Sequence, residues 1–220
     1  MKNEWFIGHD INSIWSYKVI GVWQENEAGQ AAEYGQRPGD IKIKDADNNK
    51  YFDNADKEFL GYTTPRFRWT LRNEFTFLRN WSASFLLYSY WGHKAPFQRA
   101  KHFEAGTLTK TNYFKIPYWT AENPTNQYAR LYSDDKNIGA NFYRDLSFIR
   151  LDNISIGYAV PGKLLNKIGL MQMNLSFSVK NVGFWAPDWE FYDPEAFNPA
   201  SPDAVSSSSR TYTFGVNFTL

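Results

Sequence analysis

The chain contains no cysteine. That one absence removes disulfide bridges, thiol nucleophiles and zinc–thiolate sites together. Its three histidines, His9, His93 and His102, show no metal-ligand spacing such as H-E-x-x-H, and there is no G-x-S-x-G nucleophile turn. Basic and acidic side chains nearly cancel, leaving a net charge of +1. No basic stripe exists to neutralise phosphates, so nucleic acid is not expected as a partner. No run of 18 apolar residues is present, which excludes a transmembrane helix on length. It does not exclude a membrane β-barrel, because half of each barrel strand is polar. The amino end, Met1-Lys-Asn-Glu-Trp-Phe-Ile-Gly8, lacks the apolar segment of a signal peptide. The chain is therefore expected to be either cytosolic or a piece whose targeting segment lies upstream. Carboxylates are plentiful, but nothing selects a glycosidase pair among them, and an enzyme is not expected.

What the chain does have is aromatic residues: 9 Trp, 14 Tyr and 18 Phe in 220 positions. With a mean hydropathy of −0.56, they are spread among polar residues rather than gathered in runs. Such a load suits β-strands, the aromatic girdles of membrane barrels or surfaces that stack on carbohydrate.

Alternation is clearest in residues 210–220. Tyr212, Phe214, Val216, Phe218 and Leu220 share one strand face, while Thr211, Thr213, Gly215, Asn217 and Thr219 share the other. An apolar face backed by a small, polar one is the pattern of a barrel wall between lipid and a wet lumen. It also fits a soluble sandwich strand. Residues 66–78 alternate as strongly. Phe67, Trp69, Leu71, Phe75 and Phe77 oppose Arg66, Arg68, Arg72 and Glu74. Burying that charged face in a dry sandwich core would be costly, so it calls for water or partners. A tight turn at Arg79-Asn80 leads to a strand over 81–91, with Trp81, Ala83, Phe85 and Leu87 outward. A strand over 148–160 places Ile154, Ile156, Tyr158 and Val160 on one face. Its phase requires a bulge near Asn153 to bring Ile149 and Leu151 to that face in place of Arg150 and Asp152. Pro161 ends it, residues 162–169 form a compact turn, and 171–180 alternate again before the chain loosens after Asn181. A further strand is expected over 14–23. Residues 27–34 can form two helical turns ended by Gly35, and Pro38-Gly39 signals a type II turn.

The connections alternate in length: about 40 residues, a tight turn, more than 50, a compact turn, then about 25. Compact soluble domains rarely hold structureless loops beyond about 12–15 residues. Outer-membrane barrels combine short periplasmic turns with long extracellular loops. The expected fold is all-β, a partial transmembrane antiparallel barrel of five or six strands with long extracellular loops.

Several segments, in this order, resemble one known family. They are Phe6-Ile-Gly-His-Asp-Ile-Asn12, Tyr17-Lys-Val-Ile-Gly-Val-Trp-Gln24, Tyr34-Gly-Gln-Arg-Pro-Gly-Asp40, Phe59-Leu-Gly61, Leu71-Arg-Asn-Glu-Phe75, Tyr118-Trp-Thr-Ala-Glu-Asn-Pro-Thr-Asn126, Leu151-Asp-Asn-Ile-Ser-Ile-Gly-Tyr158, Lys180-Asn181, Asp193-Pro-Glu195 and Arg210-Thr-Tyr-Thr-Phe-Gly215. Together they are similar to the carboxyl-terminal part of SusC/RagA-type TonB-dependent outer-membrane transporters of Bacteroidetes, over nearly all of residues 1–220. The resemblance implies import of a glycan or peptide, a SusD-like surface lipoprotein as lid, and energy delivered by the TonB complex through an amino-terminal region that is missing here, as are the plug and the first strands. The rival reading is a secreted carbohydrate-binding β-sandwich.

Three groups of candidate site residues follow. The segment Asp45-Ala-Asp-Asn-Asn-Lys-Tyr-Phe-Asp-Asn-Ala-Asp56 places Asp45, Asp47, Asn49, Asp53 and Asp56 at calcium-loop spacing, with Lys50 where the turn glycine usually stands. Calcium is the one ion this spacing could hold, the alternative being a solvated acidic turn in an outer loop, and no cofactor is required. Trp119, Trp185, Trp189 and Tyr192 stand in long loops, where they could stack on substrate, contact a lid or pack within their own loops. Arg66, Arg68, Arg72 and Glu74 are expected to face the lumen.

Overall fold

β-Branched and aromatic residues at every second position favour extended strands, and five such runs form one antiparallel sheet. The computed structural model describes residues 7–100, 115–134, 136, 138–189, 192–197 and 208–220. Met1 to Phe6, His102 and much of the expected loop over 184–209 lie outside the described residues.

The described residues fall into two units: residues 65–92, 146–197 and 208–220 make one, and residues 7–64 and 93–145 the other. In the first unit the strands are β5 (Phe67–Phe77), β6 (Trp81–Trp91), β9 (Phe148–Ala159), β10 (Gln172–Trp185) and β11 (Thr211–Thr219). Their order in the sheet is β11-β10-β9-β6-β5, so strands adjacent in the sheet are adjacent in the chain except β6 and β9, which are joined through residues of the second unit. The sheet is open, with β5 and β11 as its edges.

Register carries the alternation across all five strands. Phe75 pairs with Ala83, Ala83 with Ile156, Ile156 with Phe177 and Phe177 with Phe214. One step along, Glu74, Ser84, Ser155, Ser178 and Thr213 form the matching row on the opposite face. The apolar face is open to its surroundings: Phe67, Phe75, Ile154, Phe177 and Phe214 are all exposed. The polar face is closely set. The Ser84 and Ser155 hydroxyls lie 2.7 Å apart. A Cβ on Gly157 would stand 2.5 Å from Ser82 Oγ, and one on Gly215 would stand 2.6 Å from Ser176 Oγ.

The expected bulge is present. Leu86 pairs with Asn153 but Leu87 pairs with Leu151, so Asp152 is the extra residue. Ile149 and Leu151 therefore join the apolar face opposite Ser89 and Leu87. The neighbouring strand bulges as well: Lys180 pairs with Asn153 and Gly183 with Leu151, while Asn181 takes a φ of 54°. This corrects the expected end of that strand. The chain does not loosen after Asn181; β10 bends and runs on to Trp185.

The second unit corrects two other expectations. The run over 14–23 is not one strand. It splits into β1 (Ser13–Tyr17), which pairs with β4 (Lys57–Tyr62), and β2 (Val19–Val22), which pairs with β3 (Ile41–Ile43). The long polar connections also carry structure. β7 (Lys94–Pro96) pairs with β8 (Tyr143–Asp145). Strands of three residues hold too few positions to show a period. They surround a core of Tyr17, Ile41, Ile43, Ala129 and Ala140, with Val19, Phe52, Ile138 and Phe142 packed on it. The helix falls at α1 (Ala28–Glu33), and Gly35 follows it at φ 62°. At Pro38-Gly39 the Asp40 amide donates to Arg37 O at 3.0 Å, closing the expected turn with Gly39 at φ 88°.

The tight polar face predicts an overpacking cost. Gly157→Ala should destabilise the folded sheet by about 1–3 kcal/mol, and Ser82→Gly in the same chain should restore most of it. Denaturant unfolding of the two single variants and the double variant in detergent measures the coupling.

Candidate functional site

The acidic loop is built on local geometry. Asp45, Asp47 and Asp56 each bring a carboxylate oxygen within 4.8 Å of the others. Asp56 is buried; its two oxygens accept from the Ala46 amide at 2.7 Å and the Asp53 amide at 2.9 Å. Asp45 Oδ2 accepts from the Lys50 amide at 2.9 Å and the Tyr34 hydroxyl at 3.2 Å. Its Oδ1 is buried and accepts no hydrogen bond among the described residues. Burial pushes the Asp45 carboxyl up, but these donated hydrogen bonds outweigh it and hold the group below its ordinary range. Lys50, which stands where a glycine is usual, nonetheless takes the left-handed backbone a glycine would supply, at φ 67°. Its ammonium reaches away to Glu33 Oε2 at 2.7 Å. Of the five residues at ligand spacing, three converge. The other two bind backbone: Asn49 Oδ1 accepts from the Tyr51 amide and Asp53 Oδ1 from the Ala55 amide.

The aromatic candidates separate by burial. Trp119 is buried and its indole N–H donates to Gln24 Oε1 at 3.0 Å. It stands against Gly39, where a Cβ would come within 2.5 Å of the ring. Trp189 is also buried, edge-on to Tyr192 at 5.3 Å and to Phe197 at 5.5 Å. Trp185 is not in a loop: it ends β10, opposite Ile149 on the apolar face, and is 57% exposed. Trp119 therefore packs against a different loop of its unit, Trp189 and Tyr192 pack within their own, and Trp185 stands on the sheet's apolar side.

On the polar face, the Arg72 guanidinium pairs with Glu74 Oε1 at 2.5 Å, and Arg68 lies 4.9 Å from the Tyr90 ring centre. Arg66 precedes β5, and its amide donates to Trp91 O. Between Arg72, Ser84, Asp152, Asn153, Ser155 and Lys180 the polar face is hollowed by about 470 Å³.

A further cluster on this face was not anticipated as a site. Arg150 is buried against Asp193, with its Nε 2.5 Å from Glu195 Oε2 and an Nη donating to Asn181 Oδ1 at 2.5 Å. The Tyr88 hydroxyl donates to Glu195 at 2.6 Å, and the guanidinium lies 5.2 Å from the Phe184 ring centre. Arg210 donates to the carbonyls of Asn181 and Val182 at the β10 bulge. The cluster thus anchors the segment 193–196 to the polar face of β9. A sequence signal existed: an arginine set among Phe148, Ile149 and Leu151 needs a partner, and Asp193-Pro-Glu195 supplies two.

The first unit is thus an open antiparallel sheet with one exposed apolar face and one face that bears hydroxyls and charges. The comparisons narrow this. No family model matches the chain. TonB-dependent receptor P3 of Formosa agariphila is 26% identical over 224 residues, covering 96% of this chain and 22% of that protein. The RagAB peptide importer in its open-open state superposes with a TM-score of 0.68 at 16% identity, covering all of this chain and 24% of that one. A second structure of the RagAB peptide transporter gives 0.66 at 17% identity, covering 97% and 23%. The resemblance to TonB-dependent receptors of the SusC/RagA type is borne out. The relatives named are receptors and importers, and none is an enzyme. The chain spans less than a quarter of the length of each.

Two outcomes follow from the geometry. Asp193→Ala leaves Arg150 buried without its main partner and should cost about 3–5 kcal/mol, read by denaturant unfolding. The depressed Asp45 carboxyl adds stability above the carboxyl's unfolded value of about 3.9. That contribution is lost as pH falls through the lower folded value, so protease cleavage within 45–56 should rise below about pH 4, whereas Asp45→Asn should be cleaved equally at pH 7 and pH 3.5.

Proposed function

We propose that this chain forms part of the wall and outer loops of a TonB-dependent transporter in the bacterial outer membrane. The observation that carries the reading is the exposed apolar face shared by five strands, backed by a polar face with ion pairs and a serine row. Lipid would cover the first and the wet lumen the second, with Arg66, Arg68, Arg72 and Glu74 toward the lumen. Five strands do not close a barrel, and open edges are not tolerated in lipid. The carboxyl-terminal strands of a larger barrel would therefore pair here with strands outside this chain. The intact transporter would import a glycan or a peptide, with a SusD-like surface lipoprotein as lid and TonB engaging an amino-terminal region. The RagAB likeness supports this arrangement, and a peptide is the substrate named for those proteins. A secreted β-sandwich would need a second sheet over the apolar face, and Phe214, Phe218 and Phe67 are at least 60% exposed.

Calcium belongs to the same proposal. Three converging carboxylates with one buried oxygen left without a donor form the hard, oxygen-only environment that calcium takes. Asp45, Asp47 and Asp56 would hold the ion, with the Tyr51 carbonyl as a further ligand.

Two measurements test these readings. The absence of cysteine makes single-cysteine labelling clean. With the chain in its outer-membrane barrel, labels at Ile154 and Ile156 should be quenched by lipid-borne quenchers and labels at Asn153 and Ser155 by aqueous ones. Loss of that alternation would sink the wall assignment. Titration calorimetry should show binding of calcium, abolished by Asp56→Asn; no heat at millimolar calcium removes the ion from the proposal.

A further inference from the structure

One end of the five-stranded sheet is both basic and aliphatic. The β5–β6 turn, the connection from β9 to β10 and the end of β11 meet there: the Ala159 amide donates to Asn80 O, and the Met171 amide to Thr219 O. The β9–β10 connection folds as α2 (Gly162–Leu165) followed by a 3₁₀ turn over Asn166–Ile168. Leu165 is buried, but Leu164 is 56% and Ile168 66% exposed, four positions apart on one helical side. Met171 and Leu78 are 76% and 79% exposed at the same end.

Leu78 and Arg79 form the tip of the β5–β6 turn, both with left-handed backbones, φ 48° and 63°. Glycine and asparagine are the residues that take this conformation at little cost. A leucine and an arginine there accept strain in order to place an aliphatic and a cationic side chain at the outermost point.

The charged side chains at this end are of one sign. Residues 153–187 and 75–87 contain Lys163, Lys167, Lys180 and Arg79 but no aspartate or glutamate. Arg79, Lys163 and Lys167 are exposed, and none forms an ion pair with a described residue. Just inside them, Trp81 and Tyr158 pack with ring centres 4.7 Å apart on the apolar face. An amphipathic aromatic pair at that level is the mark of a membrane–water boundary.

We infer that this end is a docking collar for anionic glycerophospholipid headgroups: Leu78, Leu164, Ile168 and Met171 enter the acyl boundary, and Arg79, Lys163 and Lys167 pair with headgroup phosphates. The inference rests on the reading of the apolar face as the lipid face, with which the collar is continuous. Charge complementarity selects the lipid class. Three cations that form no ion pair with a described residue, and no aspartate or glutamate among them, favour an anionic headgroup over a zwitterionic one. The phosphates must lie within a Debye length of about 8 Å at physiological salt. Each basic residue near an anionic surface is worth roughly fivefold in affinity.

The test uses the chain within its intact outer-membrane barrel, because the five strands alone leave two edges open. The barrel is reconstituted in phosphatidylcholine vesicles with a fluorophore at Asn166→Cys and a trace of spin-labelled phosphatidylcholine or spin-labelled phosphatidylglycerol. The anionic quencher should be enriched beside the label by at least tenfold over the zwitterionic one, the preference shrinking in 0.5 M salt. The triple variant Arg79→Gln, Lys163→Gln, Lys167→Gln should keep its quenching by phosphatidylcholine and lose most of the preference. Leu164→Ser with Ile168→Ser should weaken quenching by both lipids by the same factor. If the two lipids quench without preference, or the triple variant keeps its preference, the collar is overturned while the lipid-facing wall survives. If labels at Ile154 and Ile156 in the same barrel are not quenched from lipid, both readings fall together.

Discussion

The five-stranded sheet depends on one break in its own regularity, the bulge at Asp152. In a two-residue period every side chain is fixed to a face, and a continuous β9 would put Arg150 and Asp152 among Ile154, Ile156 and Phe177. One extra residue reverses the phase. Leu151 and Ile149 then complete the apolar face, and Arg150 turns to the polar side, where Asp193, Glu195 and Asn181 receive it. The neighbouring bulge at Asn181 is the counterpart, since β10 must bend with β9 to stay paired. Pairing a desolvated guanidinium with two carboxylates offsets its burial, and the same contacts tie the segment 193–196 to the sheet.

The long alternating runs were legible from the residue order because a strand of nine or more residues repeats its pattern several times. The faces of residues 67–77 and 211–219 and even the bulge near Asn153 follow from period alone. What was not legible was everything built from contacts distant in the chain. β2 with β3, or β7 with β8, consists of three or four residues held by partners elsewhere, and no period reveals them. The same holds for the site residues. The convergence of Asp45, Asp47 and Asp56 followed from spacing, whereas the withdrawal of Asn49 and Asp53 to cap backbone amides depended on the turn that forms. Trp119 looked available for a ligand because it stands in a long loop. Its burial comes from Gln24 and Gly39, far off in the chain, which a local reading does not see.

Charge in the first unit is distributed along the strands rather than only across them. Asp188, Asp193 and Glu195 belong to the connection that leaves one end of β10, and the turns at the opposite end carry arginine and lysine alone. The two ends therefore present different chemistry to whatever surrounds them. In the proposed membrane setting each leaflet has its own headgroups, and that difference would favour one orientation.

The order β11-β10-β9-β6-β5 has a kinetic meaning. Each strand has its partner next to it in the chain, so the sheet can grow by adding one strand at a time, without waiting for distant segments to meet. The exception is the step from β6 to β9, which must close the excursion over residues 92–147. Chain entropy charges such a closure only logarithmically, on the order of 1–2 kcal/mol more than for the twelve-residue connection that follows it. The short pair of Lys94–Pro96 with Tyr143–Asp145 lies at the base of that excursion. Once it has zipped, β6 and β9 behave as the arms of an ordinary hairpin. A three-residue ladder thus shortens the loop that the pairing of β6 with β9 has to close.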